Sequence, residues 1–302
     1  TTGLNIVARS LALGPGDEVL TSDHEYGALD RTWRFLSRKR GFTYTNQPVR
    51  VPIASAAELV ETFWSAVTPA TRVIFLSHIT SPTAVIFPVE QICRRARAAG
   101  ILTVIDGAHA PGQIALDLDT LGADIYSGNL HKWLCAPKGA AFLYARPEVQ
   151  RQIEPLVVSW GWESDTPSPS RFIDEQEWTG TRDLSAFLSV PAAIQYQQEH
   201  DWPRVRAICH SLLQTALQRV SQHGALPMLY PDTPEWYSQM GVAQLPPQTD
   251  IIALKTRLYD EYRVEVPLIE WNGHKLVRVS IQAYNTSEDV DRLLEALQAC
   301  GV

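Results

Sequence analysis

Ile101-Leu102-Thr103-Val104-Ile105-Asp106-Gly107-Ala108-His109 is the stretch on which the fold of this chain turns. Residues 101–105 are an apolar, β-branched run of strand length that stops on an acid and a glycine. A run without polar alternation reads as a strand buried on both faces. Upstream, residues 89–99 carry helical periodicity ending at Gly100, and 72–76 is a second short apolar run. Downstream, 124–127 and 140–144 continue the series. Toward the N-terminus, 4–13 and 27–40 are helical in pattern, 18–21 and 49–53 extended, and 55–67 helical with Ser55 as its cap. Strands alternating with helices in this way predict an α/β fold, a mostly parallel sheet covered by helices.

The second half changes character. Residues 155–182 are rich in Trp, Pro, Ser and Asp and read as irregular. Helical patterns over 184–200 and 203–223 follow, then a helix over 250–262 and strands over 264–267 and 276–281. An amphipathic helix over 287–299, capped by Thr286 or Ser287, closes the chain. This is an α+β pattern, so a large domain over 1–200 and a smaller one over 201–302 are expected. The chain opens on Thr1-Thr2-Gly3, without an initiator Met, and runs straight into a helical pattern. That start implies a longer natural protein.

Bulk properties exclude several classes of function. The 302 residues, 45% apolar, suffice for more than one core. A net charge of −7 offers no basic footprint for nucleic acid. No apolar run approaches the ~20 residues that cross a bilayer, and no secretory signal pattern opens the chain. Cys93, Cys135, Cys209 and Cys300 are scattered, with no metal-ligand spacing, and read as reduced thiols of a cytoplasmic protein. Cys135 reads as a packing residue.

Asp106 stands where open α/β sheets bind ligands, at the C-terminal end of a buried strand. A buried carboxylate there is costly unless a cation pairs with it. Alone, it fits a helix cap or a salt-bridged turn equally well. The next strand leads into Tyr126-Ser127-Gly128-Asn129-Leu130-His131-Lys132-Trp133, which brings a lysine toward the same sheet edge. A lysine, an acid on the neighbouring strand end and a polar, glycine-bearing turn are the minimum site for pyridoxal phosphate (PLP). The amine bonds the cofactor aldehyde, the carboxylate keeps the ring nitrogen protonated, and the turn holds phosphate. The rival reading, a metal held by Asp106 and His109 in a hydrolase, leaves the lysine without a role; no metal is expected.

These segments resemble the class V, fold type I PLP enzymes, the group of cysteine desulfurases, selenocysteine lyases and isopenicillin N epimerase. The resemblance runs through nearly the whole chain in order, and implies a PLP-binding large domain with a smaller α+β domain. It makes Thr1 and Thr2 the phosphate loop opening a helix, Tyr26 the aromatic over the ring, and Asp106 the partner of the ring nitrogen. His109 and Ser81 would lie beside the ring's phenolic oxygen. Asn129 and His131 would help hold the cofactor, and Lys132 would bond it. Gly180-Thr181 resembles a segment reaching the phosphate of a partner subunit, which implies a homodimer. Arg278, in Arg278-Val279-Ser280 followed by Tyr284-Asn285-Thr286, would grip a substrate α-carboxylate through its two-point fork.

Departures from the pattern narrow the expectation. Residues 259–277 contain no cysteine, so the mobile thiolate of a desulfurase is missing. Ser81 replaces the desulfurase Asn, and the SGNLHK turn is two residues longer than SGHK. These features point to the isopenicillin N epimerase-like branch. The expected activity is chemistry at the α-carbon of an amino-acid-type small molecule, with Lys132 as base and Asp106 sustaining the electron sink. Epimerisation leads, with C–S lysis and transamination as alternatives.

Overall fold

A computed structural model describes residues 1–302, and its core follows the apolar pattern closely. Helix α1 (Thr2–Ser10) buries Leu4, Val7 and Ala8, one face at helical spacing. Strand β1 (Glu18–Ser22) is buried throughout, and α2 (Gly27–Arg40) turns Leu29, Trp33 and Leu36 inward. Then come β2 (Thr43–Gln47), α3 (Ala56–Trp64), β3 (Thr71–Ser77), α4 (Val89–Ala98) and β4 (Leu102–Asp106). Short α5 (Leu118–Leu121) precedes β5 (Ile125–Asn129) and β6 (Ala141–Ala145). Four helices follow: α6 (Pro147–Gln150), α7 (Arg171–Glu177), α8 (Ser185–Leu188) and α9 (Val190–Glu199).

The six strands form one sheet in the order β2-β1-β3-β4-β5-β6; the first five run parallel and β6 returns antiparallel. Trp33, Phe42, Phe75, Val104 and Ile125 pack in one apolar cluster with α1 and α2. Each fully buried large apolar side chain there contributes about 1.5–3 kcal/mol. Because β2 and β3 lie on opposite sides of β1, the chain reverses direction across the sheet between β1 and β3. Open α/β sheets hold ligands outside the C-terminal strand ends at such a reversal.

The chain divides into two compact units: 1–49, 60–78 and 88–195 form one, and 50–59, 79–87 and 196–302 the other. A single cut near residue 200 does not describe this, because two early segments group with the later one. The second unit contains α10 (Trp202–Gly224), β7 (Met240–Leu245), α11 (Ile251–Asp260), β8 (Leu268–Trp271), β9 (His274–Ser280) and α12 (Ser287–Ala299). Its sheet is antiparallel, in the order β7-β9-β8. β7 packs against α10 so closely that a Cβ on Gly241 would lie 2.5 Å from Leu217 Cδ1. No helix is long and apolar enough to cross a membrane.

Several local expectations are corrected. The extended segment expected over 49–53 is not a strand; β2 is the polar Thr43–Gln47, paired only with β1. Residues 155–182 are not wholly irregular, since Ser170 caps α7 by accepting from the Ile173 N–H at 3.3 Å. The strand expected over 264–267 begins later, at Leu268, and β7 had no counterpart in the sequence reading. Cys135 is exposed at φ +64, not packed.

Candidate active site

Asp106 ends β4 fully buried, and its side chain accepts one hydrogen bond, from the Ala108 N–H at 3.0 Å. Burial pushes its pKa up; the Ala108 bond and the charge on Lys132 act against that rise, and the head of α1 lies close to the same carboxylate. The start of α1, Asp106 and Lys132 therefore converge at one sheet edge. Two close approaches fix the convergence. A Cβ on Gly3 would sit 3.0 Å from Ser127 Oγ, which seats α1 on β5. A Cβ on Gly107 would fall 2.0 Å from the Tyr126 ring, so glycine alone fits after Asp106.

His109, in the turn after β4, meets the turn after β5 twice. Its Nε2 is 3.1 Å from Lys132 Nζ, and Trp133 Nε1–H donates to its Nδ1 at 3.3 Å. His131 pairs through Nδ1 with the Ala140 carbonyl at 3.0 Å, which directs Nε2 to other partners. Asn129 is the last residue of β5, opposite Ala141 of β6. Thr1 and Thr2 are exposed at the head of α1. Tyr26 caps α2 with its ring 45% exposed, free of the core. Thr181 follows Gly180, at φ +102, in an exposed segment and makes no hydrogen bond.

Ser81 and Arg278 belong to the second unit and hold each other. Arg278 Nη1 donates to the Ser81 carbonyl at 2.5 Å and to Ser81 Oγ at 3.2 Å. Its Nε is buried without a partner, and no carboxylate lies within ion-pair distance. Burial lowers its pKa. A half-buried guanidinium facing a carbonyl, with a donor unused, is built to receive an anion.

Two buried residues near Asp106 were not anticipated. Glu25 Oε1 accepts from Ser22 Oγ at 2.7 Å, and Oε2 accepts from Ser77 N–H at 2.8 Å and Ser77 Oγ at 2.6 Å. It thus bridges the ends of β1 and β3 at the point of reversal. Burial pushes its pKa up to about 8, against the Ser22 and Ser77 bonds, with Asp106 adding to the rise. His78 donates its backbone N–H to the Asp106 carbonyl, and its Nδ1 pairs with Tyr126 Oη at 2.9 Å. Burial lowers the His78 pKa to about 4, so its ring is neutral.

The donor set fits PLP. Apart from Lys132, Asp106 has no cationic side chain acting on it, and its carboxylate has acceptor capacity unused. A protonated ring nitrogen would supply both a charge and a donor. Lys132, His131 and the head of α1 are the groups that would bond the aldehyde and face the phosphate.

Residues 1–293 match the family described as aminotransferase class V. The chain is 38% identical to isopenicillin N epimerase of Amycolatopsis lactamdurans and 36% to that of Streptomyces clavuligerus; each alignment covers 99% of this chain and 78% of the relative. A putative L-cysteine desulfhydrase of Oryza sativa subsp. japonica is 30% identical over 93% of this chain and 64% of its own length. Among solved structures, the cysteine desulfurase of Thermococcus onnurineus superposes with a TM-score of 0.83 at 20% identity, over 100% of this chain and 78% of that one. With a family match over nearly its full length and relatives above 30% identity, the chain is a member of the class V aminotransferase family of PLP-dependent enzymes.

Proposed function

We propose that this enzyme inverts the α-carbon of an amino-acid-type substrate, as an epimerase. The observation that carries the reading is the 36–38% identity to isopenicillin N epimerases over 99% of the chain. The absence of a cysteine from residues 259–277 supports it by removing the persulfide acceptor that sulfur transfer needs. Bound PLP supplies an electron sink for the pair left at Cα. Lys132 holds the cofactor and moves the proton at Cα, Asp106 keeps the ring nitrogen protonated, and Arg278 binds the substrate carboxylate. Tyr26 covers the other ring face. His109 and Ser81 serve the phenolic-oxygen side; Thr1, Thr2, Asn129 and His131 serve cofactor binding.

A homodimer belongs to the same proposal. Trp160, Trp162, Trp178 and Leu188 are exposed on the segment that carries Thr181, with Trp160 77% and Leu188 76% accessible. Apolar exposure on this scale marks an interaction surface, and a second copy would bring Thr181 to a partner's phosphate. The four cysteines are free thiols, which supports a cytoplasmic setting.

C–S lysis is the second reading, favoured by the 30% identity to a putative L-cysteine desulfhydrase. The test is incubation of the PLP-loaded enzyme in deuterated water with candidate substrates, including isopenicillin N and L-cysteine. Deuterium entering Cα with loss of chirality is the epimerase outcome. Sulfide and pyruvate from cysteine, without Cα exchange into recovered substrate, would replace it with the lyase reading.

A further inference from the structure

The turn after β5 carries one side chain whose contact fixes the chemistry of another. Trp133 is 8% exposed, and its indole N–H points at His109 Nδ1 across 3.3 Å. An indole nitrogen can only donate, so His109 Nδ1 must be the accepting, unprotonated nitrogen. In a neutral imidazole the hydrogen then lies on Nε2. Nε2 is the nitrogen 3.1 Å from Lys132 Nζ. The ring therefore presents an N–H toward the lysine nitrogen, a contact open to that nitrogen only in its uncharged form. An ammonium at Lys132 would meet a ring with no lone pair left to offer.

We propose that Trp133 is a positioning residue that locks His109 in its Nε2–H form, making His109 a hydrogen-bond donor and excluding it as a base. The consequence bears on the reaction, because a two-base inversion needs a second proton carrier and His109 is the imidazole hydrogen-bonded to Lys132. With Nδ1 occupied by the indole and Nε2 already protonated, it has no site for an incoming proton. The second carrier must be another group. The backbone of the turn reinforces the lock: Gln113 Nε2 donates to the His109 carbonyl at 2.8 Å, and a Cβ on Gly112 would lie 2.5 Å from the Trp133 carbonyl carbon. The two turns are thus held against each other independently of the ring contact. The part of this inference that concerns inversion rests on the epimerase reading; the tautomer itself does not.

The test separates the two. Nitrogen NMR of histidine-labelled protein, with and without PLP, reads the protonation of each His109 nitrogen directly. The wild type is expected to show one form, with Nε2 protonated and Nδ1 bare and hydrogen-bonded. Trp133→Phe removes the donor; benzothienylalanine placed at position 133 alone keeps the bicyclic shape and removes only the N–H. In both variants His109 should show a mixture of tautomers. Losing one hydrogen bond of ordinary strength should also lower kcat/KM of the loaded benzothienylalanine variant roughly fivefold, with the thermal midpoint held. A wild-type His109 protonated on Nδ1 would overturn the proposal. So would an unchanged ring in the benzothienylalanine protein. If the NMR result holds and no substrate is inverted, the epimerase reading fails and the tautomer lock stands.

Discussion

The two ends of the parallel sheet treat buried carboxylates in opposite ways. At the N-terminal end, Glu18 opens β1 and accepts from Thr45 Oγ1 at 2.7 Å, Thr68 Oγ1 at 2.9 Å and Thr71 Oγ1 at 2.6 Å. Burial pushes its pKa up, but the three hydroxyls outweigh that and hold it lowered. Asp124, just before β5, accepts from Thr103 N–H at 2.7 Å and Thr103 Oγ1 at 2.9 Å and is ion-paired with Arg146. At the C-terminal end, Asp106 has one donor and a raised pKa, and Glu25, despite three donors, is raised to about 8 by its burial. Buried acids whose valences are filled by the chain are structural. Asp106, left underfilled at the ligand-binding edge, is the one a cofactor would complete.

The largest effects are expected at Lys132 and Asp106. Lys132→Ala should cost roughly 10²–10⁴ in kcat, the range for a lost acid–base group, and abolish the borohydride-fixed colour of the loaded protein. Asp106→Asn should lose activity on the same scale while its thermal midpoint stays equal to wild type or rises, since a desolvated charge is removed. A large drop in midpoint for Asp106→Asn, measured by calorimetry, would mean the chain itself fills this acid's needs.

The second unit holds a cation with the same underfilled character. Arg278 has a buried Nε without a partner and no facing acid. Arg278→Ala should raise KM for an amino-acid substrate well over tenfold, as removing a charged two-point contact costs roughly 2–5 kcal/mol. Cofactor absorbance should not change. Arg278→Lys should restore only part of the loss, because an ammonium lacks the fork. Unchanged kinetics in Arg278→Ala would return Arg278 to the structural class.

How much of this was legible in the sequence follows from the same physics. Asp106 and Lys132 were visible because apolar runs define strand ends, and strand ends define the binding edge. α2 and α12 were read with their observed bounds because their apolar spacing and flanking residues agree; Asp289 accepts from the Thr286 N–H at 3.0 Å. β2 was misplaced because Thr43–Gln47 is polar, and a strand with one neighbour needs no apolar run. Residues 49–53 are apolar for another reason: Val49 and Ile53 are buried, while their N–H groups bond Asp23 Oδ1 and the Leu229 carbonyl instead of a ladder. Glu25, His78 and Trp133 went unread because their roles depend on partners 24 to 52 residues away.

Glu25 gives a smaller effect, read through pH. Its folded pKa of about 8 lies above the ordinary glutamate value of about 4.3. The folded state therefore keeps a proton that the unfolded chain releases between those values. Stability from this group is fully present below about pH 4 and is lost as pH rises through about 8. Glu25→Gln, which is neutral throughout, should flatten the fall in thermal midpoint across that window. A wild-type midpoint that rises over the same range would show Glu25 to be an ordinary, ionised structural acid.

The smallest effect should come from Glu18, the filled acid at the other end. Its folded pKa is lowered, so its stabilising contribution is present above the unfolded value of about 4.3 and is lost as pH falls through the folded one. Glu18→Gln keeps one carbonyl acceptor and replaces the other oxygen with an amide donor. Thr68 and Thr71 share that second oxygen, and their hydroxyls can rotate to accept from the amide. The cost should accordingly be only about 1 kcal/mol, the worth of an ordinary hydrogen bond. Glu18→Ala leaves three hydroxyls around an empty space and should cost more, about 2–3 kcal/mol. Urea melts measure both, and neither variant should change kcat or KM. A Glu18→Gln protein with wild-type stability but impaired turnover would erase the distinction between the two ends of the sheet, because a filled acid would then be serving the reaction.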